Sequence, residues 1–372
     1  MRAYLDYNAT APLRPEARSA MLAALDLCGN PSSIHAEGRA ARASVEDARR
    51  QVAALAGAAA RDVVFCASGT EAAATALAPG GLQRLIVGAT EHVCVLAGHR
   101  FAKAETAPVT ADGRIDLDAL SRLLDAGPPA LVALQGANNE TGVLQPVRQA
   151  AALVHAHAGL LICDAAQVAG RLSLQDTGAD ALILSAHKFG GPKGVGALVI
   201  LREGMQIVPL VRGGGQERGR RAGTENVAAI AGFGAAAKAA AAELADEGAR
   251  VAALRDRCER ALREIAPDAV VFGETASRLP NTLAFAAPGV AAATLLMRLD
   301  LEGVAVSSGS ACSSGKVGPS HVLAAMGIAP ELGAGAIRVS LGWASVQADV
   351  EAFAQALRKS LSALRGRARQ AG

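Results

Sequence analysis

The stretch Ser185-Ala186-His187-Lys188-Phe189-Gly190-Gly191-Pro192-Lys193-Gly194 puts an amine, an imidazole and a hydroxyl among glycines. It follows an apolar run at 181–184 that reads as a buried strand. Lys188 therefore falls on a loop at a strand's carboxyl end, where ligands collect in α/β sheets. Lysine is scarce: Lys103, Lys188, Lys193, Lys238, Lys316 and Lys359 stand among 37 Lys and Arg residues. Arg cannot lose its proton, whereas Lys can, and a lysine of lowered pKa condenses with an aldehyde. Upstream, a second apolar run at 160–163 ends in Asp164-Ala165-Ala166-Gln167. A carboxylate directly after a buried strand is costly unless it is paired. A strand-end Asp followed by a loop Lys one strand later suggests a pyridoxal phosphate site. The Lys would hold the aldehyde and the Asp would keep the ring nitrogen protonated, making the ring an electron sink. Taken alone, a loop lysine is ordinarily a solvated one, so the reading depends on what the other strands bring to the same edge.

Several do bring chemistry to a strand end. Residues 62–66 read as a strand, followed by Ala67-Ser68-Gly69-Thr70-Glu71-Ala72 and an Ala-rich helix. Small residues opening a helix leave N–H groups free for an anion such as a phosphate, although such a turn is also an ordinary helix cap. A strand at 85–87 is followed by Thr90-Glu91-His92, where His92 is either a structural histidine or a ring that stacks on a cofactor. A strand at 131–134 leads to Asn138-Asn139-Glu140-Thr141-Gly142. Helices at 15–27, 36–55 and 147–156, and a further strand at 195–201, complete an alternation that predicts a mainly parallel sheet flanked by helices. The loop Arg212-Gly213-Gly214-Gly215-Gln216-Glu217-Arg218-Gly219-Arg220-Arg221-Ala222-Gly223-Thr224 is either solvated and flexible, or a backbone that closes on a phosphate or a partner subunit.

A long Ala-rich helix at about 235–265 is expected to link two domains. Beyond it come strands at 281–286, 303–307 and 337–341, and helices at 292–299, 320–326 and from about 347, which suit a smaller α+β domain. Within that part lies Ser307-Ser308-Gly309-Ser310-Ala311-Cys312-Ser313-Ser314-Gly315-Lys316. Cys312 has only small polar neighbours to cover it, so its thiol is expected to be accessible, with Lys316 near enough to favour the thiolate. An isolated exposed cysteine is usually inert; one beside a pyridoxal phosphate pattern reads as a nucleophile.

The bulk composition is that of an ordinary globular protein: 372 residues, 51% hydrophobic, net charge +3. The basic excess is scattered, so neither nucleic acid nor a membrane surface is an expected partner. The charge-free stretch 279–297 contains Pro280, Asn281, Pro288 and Gly289 and reads as strand, turn and helix start. The opening residues have no signal-peptide core, which makes a cytoplasmic location the expectation. Six cysteines form no C-x-x-C pair and no metal-finger spacing, so no metal is expected.

The ordered motifs resemble the cysteine desulfurases of the nitrogen-fixation and iron–sulfur-cluster type, within the class V aminotransferases of pyridoxal phosphate fold type I. The resemblance runs from Tyr4-Leu5-Asp6-Tyr7-Asn8-Ala9-Thr10 and Asn30-Pro31-Ser32-Ser33-Ile34-His35 to Gly309-Ser310-Ala311-Cys312 and Ile337-Arg338-Val339-Ser340-Leu341-Gly342. It implies an α/β fold with a large cofactor-binding domain at 14–245 and a small α+β domain formed by 1–13 and 246–372, the latter carrying the Cys312 loop. It also implies roles for single residues. Lys188 holds the cofactor and moves protons, Asp164 pairs with the ring nitrogen, Gln167 reaches the ring hydroxyl and His92 stacks on the ring. Gly69, Thr70, Ser185 and His187 hold the phosphate, joined by Thr224 from the other subunit of a homodimer. Asn139 and Arg338 bind the substrate carboxylate, and Cys312 is the nucleophile. The implied activity takes sulfur from L-cysteine, leaving L-alanine and a persulfide on Cys312 for an iron–sulfur scaffold or another acceptor. The phosphate turn departs from the family's usual Thr-Ser-Gly-Ala-Thr-Glu, so its backbone is expected to matter more than the Ser68 side chain.

Three alternatives remain at this level. A selenocysteine lyase or another class V aminotransferase would use the same cofactor. A nucleotide-binding Rossmann protein is disfavoured because no G-x-G-x-x-G follows the first strands. A non-catalytic adaptor is disfavoured by the joint presence of Lys188, Asp164, Arg338 and Cys312.

Overall fold

The computed structural model describes residues 2–308 and 319–370. In chain order the strands are β1 (Ala3–Tyr4), β2 (Val63–Cys66), β3 (Arg84–Gly88), β4 (Glu105–Ala107), β5 (Ala130–Gln135), β6 (Leu160–Asp164), β7 (Ala181–Ser185) and β8 (Gly196–Ile200). They continue with β9 (Val270–Val271), β10 (Thr282–Ala286), β11 (Val304–Ala305), β12 (Ser307–Ser308) and β13 (Ile337–Ser340). The helices are α1 (Pro15–Leu25), α2 (Ala36–Ala56), α3 (Gly69–Ala76), α4 (Val93–Leu96), α5 (Leu117–Asp125) and α6 (Val147–Ala156). After them come α7 (Val227–Ile265), α8 (Ala292–Leu301), α9 (His321–Ala325), α10 (Pro330–Gly333) and α11 (Gln347–Gln370).

The large sheet runs in the order β2-β8-β7-β6-β5-β3-β4. β8 is antiparallel to both β2 and β7, and the other pairings are parallel. The carboxyl ends of β2, β3, β5, β6 and β7 therefore meet at one edge. The sheet is mainly parallel, as the alternation predicts, and its inner strands are buried on both faces. Gly196 opens β8 at this edge, where a Cβ would lie 2.6 Å from the backbone carbon of Ser68. Only glycine lets the phosphate-turn backbone approach so closely.

α7 begins in the apolar core of the large sheet, where Ile230, Phe233, Ala236, Ala237 and Ala240 are buried. It ends in a second core, to which it contributes Val251, Leu254, Cys258 and Leu262. A fully buried Phe such as Phe233 is worth about 2–3 kcal/mol. α7 is long and apolar enough to cross a membrane by length and composition, but these buried residues show its apolar surface spent on the two cores. The second core surrounds an antiparallel sheet ordered β12-β13-β10-β9. The chain's beginning returns to it: Ala3 and Leu5 are buried there, and β1 pairs with β11.

The strand expected at 303–307 is two strands in different sheets. Val304 pairs with Ala3, whereas Ser307 pairs with Arg338 across β13. Periodicity reports burial but not the partner, and here the partner changes at Val306. The sequence reading also passed over β4, too short to show a period, and α5, which Asp116 caps through the Ala119 N–H and which buries Leu120 and Leu124.

Candidate active site

A cavity of about 310 Å³ opens where the strand ends converge. Lys188 closes a 3₁₀ turn, Ala186–Lys188, that continues β7. Its Nζ donates to the Asn8 carbonyl at 2.7 Å and to the Ala9 carbonyl at 3.1 Å. The amine is thus held at the cavity wall by backbone of the opening segment. Arg171 organises the same wall. It is buried, donates to Gln167 Oε1 (2.6 Å), to the Gln167 and Lys188 carbonyls (2.7 and 3.1 Å) and to the Tyr7 carbonyl (3.3 Å). Burial pulls its pKa down to about 10. Because Arg171 takes the amide oxygen of Gln167, the amide nitrogen is left to donate, and it reaches the Asn8 carbonyl at 3.0 Å.

Asp164 ends β6, lines the cavity, and accepts the Ala166 N–H on Oδ1 at 3.0 Å. Burial pushes its carboxyl upward, opposed by that N–H and by His92 and Lys188. It is a carboxylate short of positive charge. His92 caps α4: its Nδ1 accepts the Cys94 N–H at 3.2 Å, which leaves any ring proton on Nε2. Burial lowers its pKa, opposed by the nearby Asp164. Beneath it Glu91 is fully buried, with Oε1 accepting the Gln135 N–H at 2.8 Å, and burial pushes its carboxyl well above the usual range. Cys94 also lines the cavity, but burial pushes its thiol far up, so it is inert as a nucleophile.

The other end of the cavity suits an anion. Ser68 caps α3 by accepting the Glu71 N–H, and Gly69 and Thr70 follow in its first turn. A Cβ on Gly69 would stand 3.2 Å from the Ser185 side chain, so the turn sits tight against β7. Ser185, His187, Gly69 and Thr70 all line the cavity. His187 meets the Thr10 hydroxyl at 3.2 Å, and burial followed by the neighbouring Lys188 pulls its pKa down to about 4. Arg221 reaches back to Glu71 at 2.9 Å and ties the Gly/Arg-rich loop to this turn.

Asn139 lines the cavity too, and Arg338 lies behind it. Arg338 is buried; Nη1 donates to the Asn139 carbonyl at 2.9 Å and Nη2 to Asp6 at 2.7 Å. Among the described residues, then, one cavity gathers Gly69, Thr70, His92, Asn139, Asp164, Gln167, Ser185, His187 and Lys188. Arg338 is one layer back, and Thr224 is exposed on its loop and does not line this chain's cavity. Cys312 lies outside the described residues. The residues flanking that stretch are anchored at the site: Ser307 pairs with Arg338, Ser320 donates to Glu140 at 2.6 Å, and His321 bonds the Glu91 carbonyl at 2.9 Å.

Sequence reasoning passed over Asp6, Asn8 and Arg171. Asn8 sits inside a quoted motif, yet its role is carried largely by its backbone carbonyl, which no residue type reveals. Its side chain bonds the Asn139 carbonyl, Thr282 and Asn281.

The site fits a pyridoxal phosphate. Its volume is adequate, a charge-poor carboxylate faces one end, helix N–H groups face the other, and an amine stands between. Volume alone would not select it, since a cavity of about 390 Å³ lies by Arg42, Arg49 and Glu217 without this set of groups.

The aminotransferase class-V family model matches residues 3–353. A cysteine desulfurase of Cereibacter sphaeroides is 42% identical over 98% of this chain and 97% of its own length. The cysteine desulfurase IscS of Dictyoglomus turgidum is 39% identical over 97% of this chain and 95% of its own. Among solved structures, a NifS-like protein from Rickettsia africae superposes with a TM-score of 0.89 at 31% identity, covering 97% of this chain and all of that one.

Proposed function

The chain belongs to the class-V aminotransferase family, and from that premise we propose that it is a pyridoxal 5′-phosphate-dependent cysteine desulfurase. It takes sulfur from L-cysteine, leaves L-alanine, and passes the sulfur from Cys312 to an acceptor protein such as an iron–sulfur scaffold. In this proposal the enzyme is a cytoplasmic homodimer, and residues 1–13 and 246–372 form the small domain that carries Cys312. One observation carries the reading: Lys188 and Asp164, from adjacent parallel strands, face one cavity backed by the buried Arg338.

Each residue has a task. Lys188 would hold the cofactor through its aldehyde and would move the proton at the substrate Cα. When bound, pyridoxal phosphate supplies the sink for the electrons freed there. Asp164 would keep the ring nitrogen protonated, a positive charge that would offset the burial that raises its carboxyl. His92 would stack on the ring, and Gln167 would donate an amide N–H to the ring oxygen. The first turn of α3, with Ser185 and His187, would hold the phosphate, joined by Thr224 from the other subunit of a homodimer. Asn139 and Arg338 hold the substrate carboxylate. The Cys312 thiolate attacks the substrate sulfur; the C–S bond breaks, its electron pair takes up a proton at Cβ, and sulfur remains on Cys312 as a persulfide.

The purified protein should absorb in the visible, and Lys188→Ala should lose that band. Cys312→Ala should keep the band but form no alanine from L-cysteine. A Cys312→Ala protein that still releases alanine at the wild-type rate would contradict the nucleophile assignment.

A further inference from the structure

The Arg338 guanidinium is deeply buried, its side chain 1% exposed. Its charge is met by a carboxylate of the chain itself, Asp6, which touches Nη2 at 2.7 Å and is 21% exposed. Nη1 serves the Asn139 carbonyl, and Nε is buried without a hydrogen-bond partner. Asp6 is held in place by its neighbours. The Leu5 carbonyl accepts the Ser340 N–H at 2.8 Å, and the Tyr7 N–H donates to the Ser340 carbonyl at 3.2 Å. Residues 5–7 thus run beside β13, with Asp6 bridged to Ser340. The other carboxyl near Arg338 is Glu140, which accepts the Ser320 hydroxyl and whose pKa burial lifts to about 7. Arg171 adds a second buried positive charge. Asp6 is therefore the direct counter-charge of a guanidinium that still has an unused donor.

We propose that Asp6 stands in for the substrate's α-carboxylate on Arg338 and competes with it, so that Asp6 sets the enzyme's affinity for its amino-acid substrate. This rests on the reading that Arg338 receives that carboxylate. An unpaired buried guanidinium is costly, so in the absence of substrate Asp6 stabilises the fold. A substrate carboxylate approaching Arg338 meets the Asp6 charge at close range in a poorly screened site, and binding is weakened by that repulsion. Asp6 is a positioning residue: it acts on substrate through Arg338 and touches no reacting atom.

The test is Asp6→Asn, with Asp6→Ala as a second variant should the first not fold, in the cofactor-loaded full-length enzyme. Removing the charge should lower KM for L-cysteine about ten-fold, the order of one like charge at a part-buried site, with kcat changed by less than about two-fold. L-alanine, read by its shift of the cofactor absorption, should bind more tightly by a similar factor. Without ligand, Tm should fall, and L-alanine should raise it by more than in wild type. An unchanged or raised KM, with L-alanine bound no more tightly, overturns the proposal. Arg338→Lys separates the two levels. If it raises KM while Asp6→Asn does not lower it, only the role of Asp6 fails; if it leaves KM unchanged, the carboxylate reading of Arg338 fails with it.

Discussion

At the residue scale, His187 shows how burial in the cavity changes the pH at which a group takes up a proton. Burial and the neighbouring Lys188 pull its pKa from the ordinary 6.5 to about 4. Between those values the unfolded chain binds a proton that the folded chain refuses. The stabilisation linked to His187 is therefore complete above about pH 6.5 and is lost as pH falls toward 4. Urea midpoints of the cofactor-free protein should drop between about pH 7 and 4.5, and His187→Gln should remove part of that drop; an equal drop in the variant would contradict the assignment. Glu140 runs the other way. Its pKa is raised from 4.5 to about 7, so its contribution is complete below 4.5 and declines as pH rises to about 7. Lys188 and Asp164 were legible as single residues because scarcity and strand-end position mark them. Arg171 was not, because an arginine after Gly170 looks like any surface arginine until its four carbonyl and amide acceptors are seen.

At the scale of elements, the Gly/Arg-rich loop is the clearest case of tertiary structure overriding local character. Its glycines suggest a free connection, yet Glu217 is buried and bidentate to Arg49, at 2.6 and 2.8 Å, and accepts the Phe65 N–H at 3.0 Å. Glu217 and Arg218 have φ of 46° and 57°, a conformation that costs non-glycine residues about 1 kcal/mol or more. The buried pair offsets that strain and pins the loop that carries Thr224 to the end of β2. Arg49→Met alone, or Glu217→Met alone, should cost about 3–5 kcal/mol in chemical denaturation, because each leaves a buried charge unpaired. The double variant should cost less than either single one. Costs that simply add would show that the two charges do not depend on each other. The motif's glycines and arginines were readable in sequence; the Arg49 partner, 168 residues distant, was not.

At the scale of the molecule, the opening segment joins both cores to the cavity. Asn8 and Ala9 hold Lys188, Asn8 also binds Gln167 and Asn139, and Asp6 holds Arg338. The alternation of strands and helices made the large sheet and its site edge legible, because each βα unit is a local pattern. The return of residues 2–10 to the second core is implied by the family resemblance but not by the local pattern, because β1 has two residues and its partners lie some 300 positions away. In the function proposed above, cofactor chemistry and sulfur transfer would converge on one thiol, Cys312. The most direct measurement is mass spectrometry of the Cys312 peptide after brief incubation of the loaded enzyme with L-cysteine. The peptide should carry one additional sulfur atom, removable by reductant and missing in Lys188→Ala. An unmodified Cys312 in an enzyme that is forming alanine would contradict the account.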